Sequence, residues 1–305
     1  MSCPLPRQEL PSCALSKRAT RLNQTNSHMC GIAGFWSTRL DDATAVQTLR
    51  GMTDAIVHRG PDDSGAWCDP DAGIALGHRR LSIVDLSPLG HQPMASAGQR
   101  FQIAFNGEIY NYRALRAELT AQGASFRGHS DTEVLLALVE RHGLHDALTR
   151  CTGMFAIALW DRETHTLQLA RDRFGEKPLY IARCGGGIAF ASELKALRIH
   201  PAFTATINPA ALSLFLRHGY VPAPYAIFEE VEKVEPGQIV TFTAPSWRAR
   251  ESTTYWSARD AATFGLEHPL ETTPTRAADA LDTLLREVVR DQMVADVPIG
   301  AFLSG

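Results

Sequence analysis

The sequence of 305 residues lacks the features of several protein classes. No apolar run approaches the roughly 20 residues that a membrane-spanning helix needs. The net charge is only −3, so the sequence does not indicate a nucleic acid or an anionic membrane as its main partner. The 6 cysteines form no CxxC pair, which argues against a zinc site or a disulfide scaffold and favours a reducing compartment. We therefore expect a cytoplasmic protein without a membrane or nucleic-acid partner.

Acidic residues are also scarce at the start of the chain. Residues 1–28 contain one acid, Glu9, against basic residues at positions 7, 17, 18 and 21. They lack the apolar segment of a secretory signal, although their basic composition is compatible with an organellar transit peptide. A propeptide that is removed and a start codon assigned too far upstream are the other interpretations. Met29 directly before Cys30 favours the upstream start, so residues 1–29 are expected to be a leader or a misassigned start.

The rest of the chain has the composition of a globular protein, with 45% hydrophobic residues. Short apolar segments, many of them alternating or punctuated by glycine, predict strands. A further segment, 179–192, has two apolar runs around three glycines and predicts a hairpin. The single strands are predicted at 31–36, 72–85, 100–110, 154–161 and 166–172.

Helical spacing of apolar residues predicts helices between these strands. Ser130 with Glu133 has the spacing of a capping box, and Asn208 followed by Pro209 is typical of a helix start. The helices are predicted over 43–56, 112–123, 130–143, 208–219 and 276–293. The turn-rich residues 219–275 predict a linker or lobe border with edge strands, and 297–303 predicts a short strand. Many strands with interspersed helices predict an α+β protein of stacked sheets covered by helices.

Cys30 is the first candidate for chemistry. If Met29 were removed, Cys30 would carry a free α-amine, whose ordinary pKa of about 7.7–8.0 suits a general base. Nucleophile and base would then belong to one residue. Inside a longer chain the same nitrogen is an amide and accepts no proton. The alternative interpretation is a small buried thiol, which is the common environment of a free cysteine.

Six segments, the first of which begins with Cys30, bear on which of these interpretations applies. They occur in the order "CGIAGF", "HRGPDDSG", "HRRLSIVDL", "FNGEIYNY", "HSDTEVLL" and "ARDRFGEKPLY". Together they resemble the class II glutamine amidotransferase domain of the N-terminal-nucleophile hydrolases, and most closely that of glutamine-hydrolysing asparagine synthetases. The resemblance implies a four-layer αββα sandwich over residues 30–218. The final "DVPIGAFLSG" is similar to the strand before the family's ATP-pyrophosphatase loop, so 276–305 would open an α/β nucleotide-binding synthetase domain.

The resemblance also implies roles in catalysis. Cys30 would attack the side-chain amide of glutamine, releasing ammonia and leaving a γ-glutamyl thioester that water hydrolyses. Asn106 and Gly107 would form the oxyanion hole, since an amide N–H and a backbone N–H can point at one developing oxyanion. Taken alone, Asn-Gly is a strong turn signal.

The same resemblance implies a set of contacts to glutamine. Arg80 would hold the α-carboxylate, for which a guanidinium is well shaped, whereas a solvated surface charge is the alternative. Glu108 and Asp131 would receive the α-ammonium, and Asp131 could equally be a helix-capping acid. Backbone groups of the Leu81–Val84 stretch, including Ile83, would add contacts.

Other residues of these six segments are not expected to take part in catalysis. Arg59, Gly60 and Asp62 are expected to shape the loop over Cys30 rather than to do chemistry. His58, His78 and His129 have no metal-ligand spacing, so no metal site is expected for glutamine hydrolysis.

For the full-length synthetase, the resemblance implies an amino-acid-biosynthesis ligase that uses glutamine, aspartate, ATP and Mg²⁺. Its ATP site would begin at Leu303, Ser304 and Gly305, ammonia would pass through an internal channel, and the protein could form a homodimer, as the family often does. Two alternatives stay open. A related enzyme could amidate another carboxylate, on a surface polysaccharide or a peptide. If the leader were retained, the domain could be a catalytically silent scaffold or glutamine-binding module.

Overall fold

The computed structural model describes residues 29–37, 40–243, 246–298 and 300. Its helices are α1 (Asp42–Asp54), α2 (Tyr112–Ala121), α3 (Asp131–Arg150), α4 (Leu194–Leu197), α5 (Pro209–His218), α6 (Ala258–Glu267) and α7 (Pro274–Gln292). Its strands are β1 (Gly31–Ser37), β2 (Asp63–Asp69), β3 (Ile74–Arg80), β4 (Met94–Ala95), β5 (Phe101–Ile109), β6 (Gly153–Asp161), β7 (Thr166–Arg171), β8 (Tyr180–Cys184), β9 (Gly187–Ala191), β10 (Val231–Lys233), β11 (Gln238–Thr243) and β12 (Ser246–Thr254). Among the described residues, no helix is both long and apolar enough to span a bilayer.

The strands form two six-stranded antiparallel sheets. Sheet A has the order β10-β8-β9-β1-β3-β2, and sheet B has the order β12-β11-β7-β6-β5-β4. β1 lies in the interior of sheet A between β9 and β3, and all seven of its residues are buried. A strand with neighbours on both sides and both faces covered reads as a continuous apolar run, which explains the sequence of β1.

Side-chain alternation along the strands builds three cores. On β6, Ala156, Ala158 and Trp160 pack into the space between the sheets, where Trp160 contacts Trp36 of β1 at a ring distance of 5.2 Å. On the other face of β6, Phe155 and Ile157 pack into the core that contains α2 and α3. The third core joins the outer face of sheet A to α1 and α4. The result is the αββα layering that the family resemblance implied.

Local signals explain the helix boundaries. Asn208 accepts hydrogen bonds from the amides of Ala210 and Ala211, and α5 ends at Gly219 with a φ of 76°. At α3, the Ser130 hydroxyl accepts from the amide of Glu133. The Glu133 carboxylate reaches back to the amides of Arg127 and Gly128 rather than to Ser130 itself. These caps begin α3 directly beside the pocket described below.

The structure differs from the sequence prediction in several places. The predicted linker, 219–275, contains β10, which joins sheet A, and β11 and β12, which complete sheet B. β12 is an edge strand, as expected for part of this segment. The helix predicted to end at 143 continues as α3 to Arg150 after a break at Gly143. The elements β2, β4, α4 and α6 were not predicted. Most of the strand predicted at 297–303 lies outside the described residues.

Candidate active site

One cavity, of about 310 Å³, gathers the residues that the sequence segments singled out. It lies where the residue before β1, the end of β3, the second half of β5 and the first turn of α3 meet. The predicted site residues that line it are Cys30, Arg80, Leu81, Ile83, Val84, Asn106, Gly107, Glu108 and Asp131. Residues more than 100 positions apart in sequence therefore share one small pocket, of a volume suited to an amino acid.

Cys30 enters the pocket from the amino-terminal side of β1. Its Sγ accepts a hydrogen bond from the Leu81 amide at 3.3 Å and lies 3.5 Å from the Leu81 carbonyl oxygen. Burial raises the pKa of the Cys30 thiol, although the Leu81 amide and the charges of Lys177 and Arg80 oppose that shift. A thiol with a raised pKa is protonated at neutral pH, so a nucleophilic role requires a base next to it.

The loop after α1 holds the backbone around Cys30. Arg59 is 6% exposed; its Nε donates to the Cys30 carbonyl at 2.9 Å, and its Nη1 donates to Glu193 at 3.0 Å. The Asp62 carboxylate accepts from the amide of Ser82 at 3.0 Å. A Cβ at Gly60 would lie 2.3 Å from the Arg79 backbone, so only glycine fits there. These contacts fix the loops that flank Cys30.

Two adjacent arginines of β3 point in opposite directions, as expected for extended backbone. Arg79 pairs with Asp54 of α1, away from the pocket. Arg80 is 6% exposed, lines the pocket and donates to the carbonyls of Val84, Asp85 and Ser87. Because Arg80 holds these carbonyls, it organises the loop beyond β3 in addition to the carboxylate-binding role predicted for it.

The Asn-Gly pair is strand rather than turn. Asn106 and Gly107 lie in β5 opposite Ala156 and Phe155. Asn106 is 1% exposed, and within the described part of the chain its Oδ1 and Nδ2 have no hydrogen-bond partner. A Cβ at Gly107 would lie 2.2 Å from the Met154 carbonyl oxygen, which requires glycine there. A buried amide with unused hydrogen-bonding capacity that lines a cavity is suited to a substrate oxygen.

Two acids line the pocket near β5 and α3. The Asp131 carboxylate accepts from the amides of Ile109 at 2.9 Å and Thr132 at 2.8 Å. Burial raises the pKa of Asp131 to about 6, and the neighbouring Glu108 charge adds to the rise. Burial also raises the pKa of Glu108, which the charge of Lys177 opposes. The pair provides a negative subsite for a cationic group.

The sequence reasoning assigned no role to several residues of the pocket. Lys177 of the segment "ARDRFGEKPLY" is 6% exposed, and its Nζ lies 3.2 Å from Met29 Sδ. Gln92 accepts from the amide of Phe105 at 2.7 Å and thereby supports the strand that carries Asn106. Lys177 stood in a quoted segment and could have been singled out there, whereas nothing in the sequence around Gln92 distinguishes it.

The remaining predictions do not meet at this pocket. Leu303, Ser304 and Gly305, predicted for ATP, lie outside the described residues. His78 of β3 is buried and contacts the Phe105 carbonyl of β5 at 3.0 Å, and burial lowers the pKa of His78 to about 3. His58 contacts Glu193 at 2.9 Å.

Known proteins with similar sequences agree with the family that the six segments resemble. The Glutamine amidotransferase domain family matches residues 29–256. Glutamine-hydrolysing asparagine synthetase 1 of Bacillus subtilis (strain 168) is 38% identical over 279 residues, which are 91% of this chain and 42% of that protein. Synthetase 3 of the same organism is 35% identical over 284 residues, or 91% of this chain and 43% of that protein. The chain thus spans less than half the length of these relatives.

A solved structure of glutamine phosphoribosylpyrophosphate amidotransferase from B. subtilis covers 74% of this chain and 49% of its own, with a TM-score of 0.56. Its sequence is 22% identical, so this likeness concerns the fold alone. The glutamine amidotransferase family predicted from the six segments is confirmed, and the chain belongs to the Glutamine amidotransferase domain family.

Proposed function

We propose that this chain is the glutamine-hydrolysing part of an asparagine synthetase-like enzyme. The observation that carries the proposal is one pocket lined by the Cys30 thiol, the unpartnered Asn106 amide, a guanidinium and two acids. A thiol can attack a carboxamide, an amide N–H can stabilise the resulting oxyanion, and opposite charges can hold an α-amino acid at its two charged ends.

The mechanism begins with Cys30 as the first residue of the mature chain. Its α-amine removes the thiol proton, and Sγ attacks the side-chain carbonyl carbon of glutamine. Asn106 and the Gly107 amide stabilise the oxyanion while the ammonium form of the amine returns the proton to the leaving nitrogen. Ammonia departs and a thioester remains. Water, deprotonated by the same amine, then attacks the thioester, giving glutamate and the free thiol.

Substrate orientation follows from the charges. Arg80 is assigned to the α-carboxylate, and Glu108 and Asp131 to the α-ammonium, with backbone groups of Leu81, Ile83 and Val84 closing the pocket. Holding both charged ends of the amino acid fixes the position of its side-chain amide relative to Cys30. Binding therefore also orients the amide for attack by the thiol.

The later steps belong to residues that the structure does not describe. We assign to the whole enzyme the cytoplasmic, ATP- and Mg²⁺-dependent amidation of aspartate, with a homodimer as its expected assembly. Leu303–Gly305 would contribute to the ATP site. A product assay of the longer protein with aspartate and ATP tests the acceptor, because asparagine would form only if aspartate is the carboxylate used.

Ammonia release from glutamine tests the glutaminase directly. A chain beginning at Cys30 should release ammonia, and Cys30→Ala should abolish the release because it removes the attacking atom. Cys68→Ala is the matched control, since Cys68 is a partly buried free thiol that lines a different cavity. Ammonia release by Cys30→Ala at the wild-type rate would refute the assignment.

A further inference from the structure

The segment that follows α7 returns to the pocket region. The Asp296 amide donates to the Ile83 carbonyl at 2.9 Å, and the Asp85 amide donates to the Asp296 carboxylate at 2.8 Å. Val294, two residues earlier, packs against the core formed by sheet B, α2 and α3. Residues separated by more than 200 positions are therefore joined by two hydrogen bonds and an apolar contact.

These two hydrogen bonds flank a wall of the glutamine pocket. They hold the Ile83 carbonyl and the Asp85 amide, and Val84 lies between them. Ile83 and Val84 both line the cavity that contains Cys30. The other side of the same loop borders a second, open cavity of about 540 Å³, which Asp85 and Asp296 line together. The loop thus separates two cavities. Because neither cavity packs against it, its position depends on the hydrogen bonds that the loop makes, including the two to Asp296.

The loop has an unusual backbone where Asp296 holds it. Asp85 has a φ of 54°, in the left-handed region that residues other than glycine rarely adopt. Its side chain accepts from the amides of Ser87 and His129, and Arg80 donates to its carbonyl. A conformation of this kind persists only where surrounding contacts determine it. Asp296 supplies the contact to the Asp85 amide from outside the loop.

We propose that Asp296 is a positioning residue for glutamine: it holds the Leu81–Ser87 loop in the conformation that forms the substrate pocket. This inference rests on the proposed glutaminase function and adds a coupling to it. Asp296 is the first residue of the segment "DVPIGAFLSG", which resembles the opening of the synthetase domain. Displacement of that segment would therefore loosen the glutamine site. By thermodynamic linkage, bound glutamine would in turn stabilise the docked segment.

Two variants with a matched control test the role on the chain that begins at Cys30. Asp296→Ala removes the acceptor, whereas Asp296→Asn retains one oxygen that can accept from the Asp85 amide. Asp291→Ala is the control, since Asp291 is an exposed acid near the end of α7. We expect Asp296→Ala to raise KM for glutamine about tenfold, the effect of losing one charged hydrogen bond, and to change kcat less than about twofold. Asp296→Asn should restore most of the affinity, and Asp291→Ala should leave KM unchanged.

Hydrogen exchange measures the loop without relying on catalysis. Amides of residues 81–90 should exchange faster in Asp296→Ala than in wild type or Asp291→Ala, at an unchanged thermal midpoint. In Cys30→Ala, which cannot hydrolyse glutamine, added glutamine should slow exchange at 293–298, and Asp296→Ala should remove that protection.

Each outcome decides the question. Unchanged exchange at 81–90, or a KM unaffected by Asp296→Ala, would overturn the proposal. A drop in kcat with an unchanged KM would also overturn it, because it would place Asp296 in the chemical step. Failure of the wild-type chain to release ammonia would instead refute the proposed function, and the exchange comparison would still decide whether Asp296 holds the loop.

Discussion

At the scale of single residues, Asp131 should determine how glutamine hydrolysis responds to acid. Its pKa is raised to about 6 by burial and by the Glu108 charge. Above this pH the carboxylate is ionised and can receive the substrate ammonium, and below it the neutral acid cannot. The Cys30 amine, with an ordinary pKa of about 7.7–8.0, must also be unprotonated. We therefore expect kcat/KM to fall about tenfold per pH unit below about 7.5 and about a hundredfold per unit below about 6.

Asp131→Asn should remove the steeper fall in kcat/KM that is expected below about pH 6. Its kcat/KM should be lower at pH 8, yet the plot against pH should keep a single slope down to about pH 5. An equally steep acid limb in Asp131→Asn would exclude Asp131 as the titrating group.

The position of the predicted site residues around one pocket could be predicted from sequence, whereas the residues that support the pocket could not. The family resemblance singled out Arg80, and the structure places Arg80 at the pocket while its neighbour Arg79, on the other side of the strand, pairs with Asp54. Gln92 supports β5 through a hydrogen bond that crosses a loop. No local pattern encodes such a contact, because it depends on where the chain returns.

At the scale of elements, the break in α3 provides a stability prediction. Gly143 has φ 76° and ψ 166°, and a Cβ there would meet no atom within 4 Å. Gly143→Ala should therefore destabilise the fold through backbone strain alone, by about 1 to 3 kcal/mol. Urea denaturation measures the change in the free energy of unfolding.

A second glycine separates strain from the general effect of adding a methyl group. Gly265 lies inside α6, also with open space around it and without a positive φ. Gly265→Ala should leave stability unchanged or increase it by up to about 1 kcal/mol, because alanine favours helix. Equal effects of the two substitutions would show that backbone strain at Gly143 is not the cause.

The elements that sequence predicted well are those with a strong local period or a cap. The 179–192 hairpin has its turn at Gly185 and Gly186, both with positive φ, as predicted. β2, by contrast, is only partly buried along its length, and no residue of α6 is buried. Without a fully buried face, neither segment has the hydrophobic pattern on which the prediction relied.

At the scale of the whole molecule, periodicity alone predicted sheets and helices but not which faces meet. The pairing of Ala156, Ala158 and Trp160 with sheet A is a property of the assembled layers. The resemblance to a known family supplied that arrangement, and the structure shows it. The same arrangement explains why sequence predicted only edge strands within a linker or lobe border over residues 219–275, since β10–β12 gain their partners only when both sheets are formed.

The state of the chain ahead of Cys30 should control activity in the whole protein. While Met29 is attached, the Cys30 nitrogen is an amide, and the Met29 side chain lines the glutamine pocket and contacts Lys177. Retention therefore removes the base and occupies part of the substrate space.

We expect a chain with residues 1–29 verified by intact mass to release no ammonia from glutamine, and a chain beginning at Cys30 to release it. Both forms should share the same thermal midpoint, because Cys30 precedes β1 and contributes to neither sheet. This control separates loss of the amine from loss of the fold. Full ammonia release from a chain whose mass shows the leader still attached would mean that another group accepts the thiol proton, and the role given to the Cys30 amine would have to be abandoned.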